Sequence, residues 1–315
     1  MTFLPGELAA QPAPKDGFVP LYNGKDLTGW EVKDGKIDAW TADGELLSCV
    51  GDGGGWLRTQ KTYSDFVLKL EYRIPPGGNS GVGLRFPEQG NPAHDGMEIQ
   101  ILDDDAPEYK ELEAAQYNGG VYYQAAAKRG FAKQPGEWNA YVITCLGPLL
   151  KVVLNGQTIV EVQLDEQTQA KGDYLALADR PELGFIGLQS HGSRVDFRNI
   201  QLKNLVTTTP SGLQFVDLKE GDGAVVPGGA RVTVHYTGRL VSGKKFDSSR
   251  DRQQTITFPL TGVIKGWGEG LPGMKTGGRR KLIIPPDLAY GERGAGGVIP
   301  PDATLVFDVE VFEVD

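Results

Sequence analysis

The side chains in the first two thirds of the chain that could move a proton are a carboxylate and an imidazole. In the run MEIQILDD, Glu98, Gln100 and Leu102 share one strand face and Ile99 and Ile101 share the other. Polar side chains one pitch apart beside a buried face suit a groove for a polar ligand. In GVGLRF, Leu84 and Phe86 oppose Arg85, which puts Arg85 on the polar side. His191 follows the apolar run GFIGLQ, where a near-neutral imidazole can transfer a proton or ligate a metal. Acid–base work on a bound ligand needs a carboxylate such as Glu98 and a second proton-transfer group. Plainer readings stand beside these: His191 as a turn residue, Glu98 and Gln100 as the exposed side of an ordinary strand. Asp103, Asp104 and Asp105 could hold calcium, although three consecutive acids usually mark a solvated loop. Arg279, Arg280 and Lys281 lead into an apolar strand and read as a solvated edge. Trp30, Trp40, Trp56 and Trp138 could stack on rings or pack a core. Cys49 and Cys145 sit in apolar runs as separate core thiols, and without a CxxC or Cys/His cluster a zinc site is not expected.

These residues need many short elements to hold them. The chain has 315 residues, roughly two domains, with 44 Gly and 20 Pro scattered along it. That density of turn formers predicts a mainly β protein. The net charge of −9 lies entirely before Thr207, and neither part has the basic face that phosphate neutralisation requires, so no nucleic acid is expected. No stretch approaches the length of a membrane span. Residues 1–16 read as a flexible leader that is no intact secretory signal, and its LAAQPAP stretch leaves open the remnant of a cleavage site.

From Gly17 the chain alternates β-like runs with turns. In FVLKLEYRI, Phe66, Leu68, Leu70, Tyr72 and Ile74 fall on one face. In LLKVVLNGQTIVEVQL, Asn155-Gly156 between two β-branched runs predicts a tight hairpin. One helix is expected, over Ala106–Tyr117. About ten strands imply a β-sandwich. The linker is placed at 206–211 (VTTTPS), between domains at 17–205 and 212–315.

The last third carries HYTG, KKFDSSRDR, VIKGWGEGLPGM, LIIPPDLAYGERG and VIPPDATLVFDVEV in order. It resembles the FKBP-type peptidyl-prolyl cis-trans isomerases over about 211–315. The resemblance implies an α+β fold, an antiparallel sheet around one short helix. It also implies an apolar pocket of Tyr236, Phe246, Asp247, Val263, Ile264, Trp267, Tyr290 and Phe307, with Trp267 as floor. Tyr290 would offer a hydroxyl and Ile299 a backbone N–H to the bound peptide. Ile256 stands where the family usually has an aromatic, and Ala295 replaces a larger side chain. Implied partners are proline-containing protein clients and macrolide inhibitors, and no cofactor is required. Outside the resemblance, Tyr236, Phe246, Trp267 and Phe307 are residues any β-core could bury.

The earlier part carries GFVPLYNGKDLTGW, YSDFVLKLEYRIPPGGNSGVGLRF, GMEIQILDD, KQPGEWNAYVITCLG and GFIGLQSHGSRVDFRNIQLKNL. Over 17–205 it resembles the 3-keto-disaccharide hydrolase family. That implies a concanavalin A-like jelly roll binding carbohydrate, with 3-keto-glycosides as substrates and the metal unknown. The alternative is a non-catalytic sugar-binding module that anchors the isomerase to polysaccharide or cell surface. The resemblance points to a periplasmic or secreted protein.

Overall fold

A computed structural model describes residues 16–51 and 53–315. The leader, including its LAAQPAP stretch, lies outside the described residues except for Asp16. The first domain is a sandwich of two antiparallel sheets. One sheet runs in the order Gln157–Gln163, Leu149–Leu154, Asn139–Leu146, Phe66–Arg73, Val195–Asn204, Leu46–Cys49 and Trp40–Asp43, with Val19–Pro20 paired to Val195–Asn204. The other runs Trp30–Lys33, Trp56–Thr59, Phe185–Gln189, Asn79–Phe86, Met97–Leu102. Alternation makes the core: Phe66, Leu68, Leu70 and Tyr72 are buried, their neighbours half-buried. Each such side chain contributes roughly 1.5–3 kcal/mol by leaving water. Asn155 and Gly156 both take positive φ, 49° and 85°, as a two-residue hairpin turn of the I′ type demands.

Three expectations change here. The segment Ala106–Tyr117 holds two single-turn 3-10 pieces, Pro107–Tyr109 and Ala114–Gln116, and no α-helix. Its polar contacts are partly local, the Tyr117 hydroxyl donating to the Lys110 carbonyl and Glu113 and Gln116 capping each other reciprocally, while the Tyr109 hydroxyl donates to the Gly77 carbonyl at 3.2 Å. An isolated twelve-residue helix is marginal without a packed face. Arg85 also leaves its expected place. Its φ of 50° kinks the strand, so Phe86 pairs with Phe185 while Gly83 pairs with Gly187. One extra residue is accommodated, and Leu84 and Phe86 end on opposite faces. Finally, Lys281 is fully buried and Arg280 nearly so, so the basic run is no solvated edge.

Cys49 and Cys145 are free and buried. They stand three strand positions apart in one sheet, roughly 14 Å at the ~4.8 Å strand spacing, too far for a disulfide.

The second domain is a seven-stranded sheet ordered Thr207–Thr208, Gln214–Lys219, Arg279–Ile284, Leu305–Val314, Arg231–Leu240, Lys245–Ser248, with Ile256–Pro259 also paired to Arg231–Leu240. Part of the expected linker is thus sheet, since Thr207 pairs with Phe215. The helix Lys265–Gly270 lies on this sheet. A Cβ on Gly266 would fall 2.4 Å from Ile284 Cγ2, so only glycine lets the helix sit this close. That contact holds Trp267 over the sheet.

Candidate functional sites

In the second domain the sheet delivers three aromatic walls to one place. Tyr236 comes from Arg231–Leu240, Phe246 from Lys245–Ser248 and Phe307 from Leu305–Val314. Trp267 meets Tyr236 edge-on at 5.4 Å and Phe307 at 5.2 Å, and Phe246 meets Phe307 at 5.6 Å. Edge-to-face rings favour one another beyond their buried area. Phe258, which the sequence reading passed over, packs on Trp267 at 5.2 Å. It lies two residues after Ile256 on the same strand, so its alternation was a readable signal. Ile256 itself is 39% exposed.

Asp247 is the pocket's polar member. The Tyr236 hydroxyl donates to Asp247 Oδ2, and Arg252 donates to Asp247 Oδ1 at 2.5 Å and to the Tyr236 oxygen at 3.3 Å. Partial burial pushes the Asp247 carboxyl up, but the bonds from Tyr236 and Arg252 outweigh it and hold it below its ordinary range. Burial and the adjacent carboxylate push the Tyr236 phenol up. At neutral pH Tyr236 is therefore a neutral wall whose proton is already committed.

Val263 and Ile264 are partly buried against the same core. The backbone corrects one assignment. The Ile299 N–H donates to the Ala295 carbonyl at 3.0 Å, which leaves it no proton for a peptide. Ile264 caps the helix start, and among the described residues its N–H has no partner while its carbonyl accepts from Trp267 and Gly268. Ile264 therefore provides the free donor at the pocket floor, and Ile299 (7% exposed) contributes apolar surface. Tyr290 is 41% exposed, its hydroxyl unbonded among the described residues.

In the first domain Glu98 lies on the outer face of the five-stranded sheet, opposite Gly83, with Gly187 next in line. A Cβ on Gly81 would fall 2.1 Å from Glu98 Oε1, so the missing side chain is the space the carboxyl fills. Glu98 is 2% exposed. Its carboxyl accepts no hydrogen bond among the described residues, and burial alone pushes it up to about 8.

Directly across from Glu98 runs Tyr122, whose N–H donates to the Glu98 carbonyl at 2.9 Å. Tyr122 meets Tyr123 at 4.8 Å, Tyr123 meets Tyr174 at 5.0 Å, and His94 stacks on Tyr174 at 4.1 Å. Burial first, then neighbouring Tyr122, Tyr123 and Glu98, push the Tyr174 phenol up to about 12. Arg180, 3% exposed, fixes this region by donating to the carbonyls of Leu175, Ala93 and Gly96. Its Nη2 has no partner among the described residues. None of these tyrosines, nor His94 or Arg180, stood out in the sequence. The adjacent pair Tyr122-Tyr123 after Asn118-Gly119-Gly120 was the one visible hint.

Gln100 stays beside Glu98 on the same strand face but is buried, its Nε2 donating to Asn79 Oδ1 at 2.8 Å. The remaining expected residues go elsewhere. Arg85 is 1% exposed and donates to the carbonyls of Ser64 (2.5 Å) and Gly147 (3.0 Å) and to Asp65 (3.4 Å), so it does not join the polar face. His191 is exposed past the end of Phe185–Gln189, in a shallow cleft with Trp56 and Gln189, away from Glu98. Trp30 and Trp40 are core residues, and Trp138 lies beneath the guanidinium groups of Arg73 and Arg198. Among the described residues no three His, Cys, Asp or Glu side chains converge as a metal site. Asp103 and Asp104 instead accept the backbone N–H groups of Gly77 and Asn118.

Comparison with known proteins divides the chain in the same way. Residues 17–203 match the 3-keto-alpha-glucoside-1,2-lyase-like domain, and residues 223–312 match the FKBP-type peptidyl-prolyl cis-trans isomerase. An FK506-binding protein of Neisseria meningitidis serogroup B is 58% identical over 105 residues, 33% of this chain and 96% of the relative. A peptidyl-prolyl cis-trans isomerase of Drosophila melanogaster is 52% identical over 107 residues, 33% of this chain and 99% of the relative. The crystal structure of a candidate glycosyl hydrolase from Parabacteroides distasonis aligns with a TM-score of 0.55 and 29% identity, covering 60% of this chain and 99% of that one.

Proposed function

The chain belongs to the 3-keto-alpha-glucoside-1,2-lyase-like family through its first domain and to the FKBP-type peptidyl-prolyl cis-trans isomerases through its second, and from that premise we propose a prolyl isomerase whose companion domain cleaves 3-keto-glycosides at Glu98. The observation that carries the isomerase mechanism is the aromatic cage of Tyr236, Phe246, Trp267 and Phe307 with a free amide at its floor. Rotation about an X–Pro bond faces ~18–20 kcal/mol because the planar amide is resonance-stabilised. The twisted amide is less charge-separated, so a dry aromatic cage favours it over the planar ground state, and each ~1.4 kcal/mol of that difference is tenfold in rate. The Ile264 N–H holds a flanking carbonyl while the proline ring enters the cage. Macrolide inhibitors of the kind the family resemblance implies would compete for the same cage. In a proline-tetrapeptide assay of the full chain, Asp247→Val should lower kcat/KM about tenfold or more, by releasing Tyr236 and Arg252. Unchanged kcat/KM in the variant would count against the polar anchor.

The observation that carries the sugar reading is the buried Glu98 carboxyl, without a hydrogen-bond partner among the described residues, facing a tyrosine-lined site. In a 3-keto-glycoside the C2–H bond is acidified by the adjacent carbonyl. Glu98 takes that proton, the C1–O bond breaks as C1=C2 forms, and a Tyr122 or Tyr174 phenol protonates the departing oxygen. Burial raises the basicity of Glu98 toward what this step needs. With a 3-keto-disaccharide, Glu98→Gln should abolish release of free sugar while retaining binding. A wild type that binds the sugar but never cleaves it would favour the anchoring module. We place the protein in the periplasm or outside the cell, where such sugars are met, and cell fractionation tests this. No helix among the described residues is long and apolar enough to cross a membrane.

A further inference from the structure

Three acidic side chains of the first domain face three basic side chains of the second. Lys281 Nζ lies 3.2 Å from both Asp65 oxygens and 2.9 Å from Glu182. Arg239 reaches Glu182 at 3.5 Å and Arg279 reaches Asp165 at 3.4 Å. Lys281 and Asp65 are both fully buried, which is costly for any ion lacking a partner. Asp65 is held from behind by Arg85 and by the Gly147 N–H at 2.5 Å. The positively kinked Arg85 strand therefore serves this junction.

Backbone fit supports the charges. A Cβ on Gly243, at φ 87°, would lie 2.4 Å from the Asp179 carbonyl oxygen, so the hairpin around Gly243 touches the loop before Glu182. The space beside Gly147 is filled by the Leu218 side chain, 2.7 Å from where a Cβ would stand. A polar cavity of about 410 Å³ remains between the domains, bordered by Asp165, Glu182, Arg239 and Arg279. Ion pairing, close backbone approach and the Leu218 contact together set how the domains meet.

We propose that this junction is permanent: the isomerase face around Lys281 is built to dock on the acidic triad Asp65, Asp165 and Glu182 of its own chain, and the two domains unfold as one cooperative unit. The docked face is closed to clients. The hairpin that leads into Phe246 and Asp247 is braced by the first domain, which fixes one wall of the prolyl pocket.

Scanning calorimetry of the full chain tests this. The wild type should give a single endotherm. Lys281→Met strands the Asp65 and Glu182 carboxylates against an apolar chain and should split that endotherm into two. Because Lys281 lies within a core strand, Glu182→Arg reads the same contact from a partly exposed position on the other domain. It should also separate the transitions and raise the rate of proteolytic cutting within 206–211 at least tenfold. Two independent transitions in the wild type, or an unsplit and unshifted endotherm in Glu182→Arg, would overturn the proposal.

Discussion

At the residue scale, two groups take their properties from what surrounds them. Glu98 is raised to about 8 from 4.5 by burial alone. A group raised in the folded state contributes stability that is present below its unfolded value and lost as pH rises through the folded one. Between pH 4.5 and about 8 the wild type therefore loses stability on account of this side chain. Glu98→Gln should remove that slope, giving a higher Tm than wild type at pH 8 and little difference at pH 5; parallel Tm curves for the two proteins would refute it. Ile264 is the second case. Its φ of −57° and ψ of 147° suit proline, and Val263 before it is extended. Ile264→Pro should keep the fold, by circular dichroism, yet raise KM for a proline peptide several-fold by deleting the free N–H. An unaltered KM would show that this amide holds no substrate.

At the scale of elements, glycine decides how closely strands and loops approach. The floor beneath Glu98 is Gly81, Gly83 and Gly187, and any side chain there would displace Glu98, Trp56 or Phe86. The hairpin around Gly243 shows the same logic between domains. Gly243→Ala meets both a left-handed backbone and the Asp179 carbonyl, so it should cost about 1–3 kcal/mol in chemical denaturation. A change below about 0.5 kcal/mol would mean the hairpin is not pressed against that loop. Legibility also divides at this scale. Period-2 burial in Phe66–Arg73 and the Asn155-Gly156 turn were readable, because both depend on neighbours in sequence. The helix expected over Ala106–Tyr117 was not formed, because local propensity cannot show that distant contacts, such as Tyr109 to the Gly77 carbonyl, are met by two single turns instead.

At the scale of the whole molecule, the junction predicts an acid-sensitive assembly. Burial pushes Asp65 and Glu182 up, but Lys281, with Arg85, outweighs it and both carboxyls end below their ordinary range. A lowered carboxylate contributes stability above its unfolded pKa that is lost as pH falls through its folded one. Asp308 of the second domain, bonded to Arg279, is instead pushed up chiefly by burial, and its contribution runs the other way. The lowered pair Asp65 and Glu182 sets the acid limit, so domain docking should hold at neutral pH and weaken below the ordinary carboxylate range. Calorimetry at pH 7 and pH 3 should show one transition giving way to two, and a single transition at both would contradict this.

The mainly β character, the alternation of Phe66–Arg73 and the Asn155-Gly156 turn followed from the sequence alone, because periodicity and turn chemistry are written along the chain, and co-linear motifs carried the two family resemblances. Only the tertiary structure decided that Arg85 and Lys281 turn inward to paired charges, that Ile264 keeps the free amide, and that Tyr122 and Tyr174 come close to Glu98, with His94 stacked on Tyr174 and Arg180 bracing the loop beside it. Burial and pairing depend on residues far apart in sequence, and a one-residue bulge is enough to send a side chain to the other face.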